Sequence, residues 1–347
     1  MFRWLQRLFL PPAEAGPPAA APATPPPPAG SEIRPPEAAA GISFEQKDRV
    51  NTLYHNWLFD SRDDADLDVT PQESQVLDAL ETIMQSKQSG ADLVRRMPGL
   101  IPQVLQSLRT EHFSGADIAR KISSDIVLVA AVIRLANNAI EQGGSRITSI
   151  EHAIIVIGQE GLRQLVTSVA FRPIIDLNSG HFTRLLAPRI WDQSERCAIA
   201  GRIFAGQQDI DPFQAFLAGL VQNVGLIVSL RMMDQVANDR LGSPLFCASL
   251  LRNARLLSCS IGQEWHFPEP VTLAIREQLN MHKRAAMSPL GQLLSMSDYL
   301  SKIKILAEQA RLDDADAGLF AGLPAHARAC YDALDAPEAA GADGGAP

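Results

Sequence analysis

The sequence predicts an all-α protein, and three observations carry the prediction. Apolar residues recur at helical spacing from Ile42 onward, the segments open with capping boxes or prolines, and the alternation and tight turns of β-hairpins are absent. Thr70-Pro71-Gln72-Glu73 is a capping box with proline at the first helical position, followed by Val76, Leu77, Leu80, Ile83 and Met84 on one face. Pro102 opens a helix carrying Val104, Leu105 and Leu108, and Ser114 caps one carrying Ile118 and Ile122. The segment Ile126 to Ala136 is apolar almost all round, as expected of a helix at the centre of a core. Asn137-Asn138 and Gly143-Gly144 end it. Thr148-Ser149-Ile150-Glu151 is a second capping box, and Gly158 closes the helix that follows. Further helices are predicted over Leu162 to Val169, Ile190 to Phe204, Pro212 to Leu230, Pro268 to Leu279, and Pro289 to Ala307.

The flanks differ in kind from this body. Residues 11 to 41 form a Pro/Ala-rich linker: eleven prolines fall between Pro11 and Pro36, and proline removes backbone donors and fixes φ. The peptide at residues 1 to 10 carries Phe2, Trp4, Leu5, Leu8 and Phe9 with Arg3 and Arg7. It reads either as a short amphipathic helix that docks on a partner or an anionic membrane surface, or as a frayed terminus. Residues 42 to 92 are an additional helical segment, read as a helical hairpin covering the core or as a dimerisation piece. From residue 309 to 347 the chain becomes an acidic Ala/Gly-rich tail, with Asp313, Asp314, Asp316, Asp332 and Asp335 against Arg328, and its end is expected to be disordered.

A formal charge of −8 and a pI near 5.4 argue against a surface that tracks nucleic-acid phosphates, so no nucleic-acid partner is expected. Cys197, Cys247, Cys259 and Cys330 show neither C-x-x-C nor zinc-finger spacing and read as free thiols in a reducing cytoplasm. No transmembrane segment is expected. The best candidate, Phe216 to Leu230, is interrupted by Gln222 and Asn223, and the apolar run at the N-terminus stops at Pro11, too early for a secretory signal. Dinucleotide, P-loop, nucleophile-elbow and H-E-x-x-H motifs are missing.

The run IRLANNAIEQGGSRITSIEHAIIVIGQEGLRQLV, Ile133 to Val166, resembles the HDOD (HD-related output domain) family of bacterial signalling proteins. Four further pieces follow the family's order: MPGLIPQVLQSL from Met97, IWDQS from Ile190, AFLAGLVQNVG from Ala215, and EWHFPEPVTLAI from Glu264. The resemblance implies an HDOD-type domain over residues 93 to 308, built of two helical halves. Met97 to Leu186 would form the output half, and Ile190 to Ile305 a half resembling a metal-less HD phosphohydrolase domain. Trp191 and Trp265 would be core anchors.

HD-type phosphohydrolases hold one or two cations with His and Asp from several helices, because imidazole and carboxylate bind a divalent metal and acidify its water. The resemblance maps the first histidine onto Gln193, the His-Asp pair onto Gln222 and Asn223, a later histidine onto Ala254, and a histidine pair near Gln278-Leu279. Asp298 alone keeps the expected residue type, and it is expected to be an exposed or helix-capping carboxylate. The HHE and GYP strings of the cyclic-dinucleotide-cleaving variant do not occur. Among the histidines, His152 reads as a surface or packed residue, and His181, His266 and His282 as solvated loop.

These readings point to a non-catalytic, cytoplasmic signal-transduction module without cofactor or metal. Its partners would be signalling proteins, met through surfaces that a ligand can gate. Two alternatives stay open. One is a metal-dependent phosphohydrolase with an atypical site around Asp298. The other is a nucleotide sensor using the emptied metal pocket, with Arg196, Arg202 and Arg252 as phosphate partners.

Overall fold

The computed structural model describes residues 41–60, 68–85, 180–236, 241–279 and 287–334, with single positions and short runs between 133 and 168. The N-terminal peptide, the linker and most of the output half, including all but Ile133 of the helix predicted at Ile126 to Ala136, lie outside the described residues. Nine α-helices are described: α1 Phe44–Phe59, α2 Pro71–Gln85, α3 His181–Ala205, α4 Pro212–Val221, α5 Val224–Val236, α6 Pro244–Glu264, α7 Glu269–Glu277, α8 Pro289–Glu308 and α9 Ala327–Asp332. A 3-10 turn, Ala317–Phe320, precedes α9, and no strand occurs among the described residues.

Helix α3 is the axis of the body, packed by α4, α5 and α8. Its apolar residues Ile190, Ala198, Ile199 and Phe204 are buried, so it has little polar face to give to solvent. The sequence predicts this helix from Ile190; the structure extends it back to His181 and carries Pro188 inside it. Gly180 offers no side-chain cap, and Asp234 of α5 supplies one instead. Its carboxylate accepts from Phe182 N (2.7 Å), Thr183 N (3.2 Å) and Thr183 Oγ1 (2.5 Å).

The helix predicted over Pro212 to Leu230 is in fact two. It breaks at Gln222 and Asn223, and the Ser258 hydroxyl holds the break by donating to the Gln222 carbonyl (2.8 Å) and accepting from Gly225 N (2.9 Å). Close approach decides two glycines nearby. A Cβ on Gly219 would lie 2.6 Å from Ala198 N, and one on Gly225 2.0 Å from the Ala254 carbonyl, so α4 rides on α3 and α5 on α6 at backbone contact. The stretch Pro212–Val236 is long and apolar enough to cross a membrane by composition, but 89% of its apolar window is buried inside the protein. Helix α6, which the periodicity reading passed over, starts at the Ser243 cap with Pro244 behind it and buries Phe246, Leu250, Leu257 and Ile261.

The two helices of the 42–92 segment do not form a paired hairpin. Helix α1 packs on α8 and α3, whereas α2 packs on α5 and α6. The capping box of α2 forms as expected, with Thr70 N donating to Glu73 Oε2 (2.8 Å) and Glu73 N to Thr70 Oγ1 (3.2 Å). Glu73 also accepts from Gly242 N, Ser243 N and Ser243 Oγ, each at 2.8 Å, so one carboxylate joins the starts of α2 and α6. Helix α1 is capped by Ser43 and clamped by Gln46, whose Nε2 donates to the carbonyls of Gly318 (2.7 Å) and Leu319 (3.0 Å).

The reading of residues from 309 onward as a tail is corrected up to Leu334. Leu319, Cys330, Tyr331 and Leu334 are buried, and the acidic side chains have local work: Asp316 caps the 3-10 turn and Asp314 accepts from the Tyr331 hydroxyl (2.7 Å). Average composition hid these few well-placed apolar residues. The four cysteines are free thiols, all buried.

Candidate functional site

Three stretches deliver polar side chains to one place. Gln193 comes from α3, Gln222 and Asn223 from the α4–α5 break, and Asp298 from α8. Gln193 is fully buried and Gln222 is 1% exposed. Gln193 Nε2 donates to Asp298 Oδ1 (3.0 Å) and to Ser301 Oγ (2.9 Å). Gln222 Nε2 donates to Asp298 Oδ1 (3.2 Å) and Cys197 Sγ (3.1 Å). Asn223 Nδ2 donates to Gln193 Oε1 (2.6 Å) and Ser194 Oγ (3.0 Å).

Four of the five singled-out positions thus share one hydrogen-bond network. Ala254 is buried on α6 and adds no polar atom; its neighbour Arg255 reaches in and donates to Gln222 Oε1 (2.9 Å). Of the pair mapped near Gln278-Leu279, Gln278 bonds instead to the carbonyls of Ala274 and Gly291.

The expectation for Asp298 is overturned. Its side chain is only 16% exposed, and Lys302, one helical turn on and 7% exposed, pairs with its Oδ2 at 2.7 Å. Burial works to raise the Asp298 carboxyl, but Lys302 and then Arg255 outweigh it and hold the group below its ordinary value. An ionised carboxylate only accepts hydrogen bonds, so both glutamines must turn their NH₂ groups toward it. Their oxygens are then spent on Asn223 and Arg255.

Helix α1 completes the cluster, although nothing in its sequence announced this. Asn51 Oδ1 accepts from Lys302 Nζ (2.7 Å), and Lys47 Nζ donates to Ser295 Oγ. Burial pushes the Lys47 ammonium down, with Asp298 opposing and Lys302 reinforcing the shift. His55 is pushed down to about 3, first by burial and then by Lys302, so it is neutral at pH 7. Burial likewise keeps the Cys197 thiol protonated, pushed well above its usual value, and Asp298 adds to this.

Arg196 is committed elsewhere. Its fork binds Glu308 at 2.7 and 2.8 Å and its Nε meets Asp192 at 3.2 Å, so it is not available as a phosphate partner. Arg252 is exposed. His181 is the first residue of α3 and exposed; His266 is exposed in a turn at φ +55°; Trp191 and Trp265 are buried as expected.

The residues missed by sequence reasoning are Arg255, Lys302, Lys47, Asn51 and His55. An Asp-Lys pair at i, i+4 could have flagged Lys302. The α1 residues carry only helical spacing.

Chemically, the cluster presents one carboxylate surrounded by donors and cations. A divalent metal needs several anionic or imidazole donors, and here it would face Lys302 and Arg255 in their place. Among the described residues no group of three or more His, Cys, Asp or Glu is arranged to hold a metal ion. The described residues do not fit a catalytic metal.

Comparison with known proteins agrees with the fold. The HDOD domain matches residues 94–281. A protein of Treponema pallidum (strain Nichols) with no assigned role is 22% identical over 235 residues, covering 64% of this chain and 45% of that protein, so the chain spans under half of that relative. Among solved structures, an HDOD domain protein of unknown function from Geobacter sulfurreducens is similar with a TM-score of 0.51 at 17% identity, covering 76% of this chain and 89% of that one. A Shewanella amazonensis SB2B protein whose name places it provisionally among phosphohydrolases is similar at 0.52 and 21%, covering 72% and 94%. At these identities the likeness concerns the fold.

Proposed function

The chain belongs to the HDOD domain family, and from that premise we propose that it is a non-catalytic regulatory module of bacterial signal transduction, working in the cytoplasm through contacts with other signalling proteins. One observation carries the reading: Asp298 is already saturated by Lys302 and two glutamine amides, where a hydrolase of the HD type would need its ligands free. Water activation by a metal has no counterpart here, because the donors that would deliver it are replaced by amides and a methyl at Gln193, Gln222, Asn223 and Ala254. What the helices retain is a rigid polar junction. Such a junction transmits a shift between helices when a partner or ligand prefers one arrangement over another. The peptide at residues 1 to 10, on its proline spacer, serves in this reading as a docking arm.

The test combines elemental analysis with a phosphodiester hydrolysis assay on the full chain. The expected result is metal well below one ion per chain and no turnover above buffer. About one Mn, Fe or Zn per chain, together with hydrolysis that Asp298→Asn abolishes, would overturn the reading.

A further inference from the structure

We infer that the cluster around Asp298 is a binding site for a phosphate-bearing small molecule, with Arg255 and Lys47 as the groups that grip the phosphoryl oxygens. This rests on the reading that the position holds no metal, and extends it: the site has exchanged a cation's ligands for cations.

The charge count leads there. Lys47, Lys302 and Arg255 bring three positive charges to a place where Asp298 is the carboxylate whose field Lys47 and His55 feel. Among the described residues two positive charges are left over. A phosphate monoester carries close to two negative charges at neutral pH.

Asp298 cannot serve the surplus, because its oxygens are taken by Lys302, Gln193 and Gln222. Among the described residues Lys47 and Arg255 find only neutral acceptors, the Ser295 hydroxyl and the Gln222 amide oxygen. A partly buried cation with only neutral acceptors is costly to keep, and a charge-assisted bond to an oxyanion offsets that cost. The fork of Arg255 has further N–H groups to offer, and the guanidinium geometry suits two phosphoryl oxygens at once.

Lys47, Asn51, His55 and Arg255 are each partly exposed and so open to solvent, whereas Lys302 and Gln193 are buried. Neutral His55 adds a further hydrogen-bonding group without adding charge.

The experiment uses the full chain and follows thermal unfolding and calorimetric titration with inorganic phosphate and with adenosine monophosphate. Sodium chloride at matched ionic strength and adenosine are the blanks. The expected result is a saturable rise in Tm with phosphate that chloride does not reproduce. Lys47→Ala and Arg255→Ala should each weaken binding about tenfold, Arg255→Lys less, and Arg184→Ala, at an exposed position of α3, should match the parent. Tighter binding of the nucleotide than of phosphate would identify a nucleotide as the source of the phosphoryl group, and equal binding would identify phosphate itself.

A rise no larger than with chloride overturns the inference, as does a rise that survives in both Lys47→Ala and Arg255→Ala. Should Arg255→Ala fail to fold, Lys47→Ala and Arg255→Lys carry the test. Metal analysis of the same sample separates the two failures. Stoichiometric metal sinks the non-catalytic reading, while metal-free protein indifferent to phosphate sinks this inference alone.

Discussion

Glu73 and Asp298 are both carboxylates withdrawn from bulk water, yet their surroundings differ in kind. Glu73 is 1% exposed and is satisfied by three backbone amides and the Ser243 hydroxyl at the starts of two helices, with no cation in its shell among the described residues. Asp298 accepts from two amides and an ammonium, and a guanidinium bears on it as well. At Glu73 the donors match the acceptor oxygens and the junction is closed. At Asp298 positive charge exceeds what the carboxylate can use. The first arrangement is what a structural staple requires; the second leaves something for a further molecule to complete.

The largest expected effect comes from removing Asp298. Asp298→Ala strands Lys302 in a buried place, and breaking a buried pair in this way costs about 3–5 kcal/mol. Urea denaturation measures it. A smaller loss than at Glu73→Ala would mean that Lys302 finds another partner and that the contrast is drawn wrongly. Glu73→Ala removes the anion at two helix starts, each cap being worth about 1 kcal/mol, so a loss of about 2 kcal/mol is expected.

Acidification sharpens the comparison further. Glu73 and Asp298 both sit below their ordinary values, so their stabilising contribution is complete above about pH 4.5 and is lost as the pH falls through the folded-state values. His55 acts earlier. Its folded value of about 3 against an ordinary 6.5 means that the unfolded chain binds a proton the folded chain refuses, so stability falls from about pH 6.5 downward. In a stability profile, His55→Gln should flatten the stretch between pH 6.5 and 4.5, and Glu73→Gln should flatten part of the stretch below. A slope above pH 4.5 that survives His55→Gln would show that another group sets it. The smallest effect is expected at Ser43→Ala, which removes the cap of α1 and costs under about 1 kcal/mol, measured by the same denaturation.

How far the molecule was legible in its sequence varies with the range of the signal. The Thr70 capping box, the proline starts and the all-helical character are local and were readable. Gln193, Gln222 and Asn223 were found because the motif strings carry them, although the break that the last two create was not. Asp298 was misplaced because a carboxylate on a helix is usually solvated, and only the neighbouring helices make it buried. Lys47, Asn51, His55 and Arg255 enter from segments that meet only in the folded chain, and no local pattern encodes that meeting. Helix α6 carries its signal locally, in a Ser-Pro start and apolar residues at helical spacing.

The clamp by Gln46 has a consequence for how the protein is made. Its amide binds the carbonyl of Gly318, 272 residues further along the chain. At about 5–20 residues per second, the ribosome delivers that carbonyl some tens of seconds after α1 has emerged. Helix α1 is therefore synthesised well before the carbonyl that clamps it. The site that Lys47 and Asn51 complete likewise comes into being only once α8, with Ser295 and Lys302, has been made.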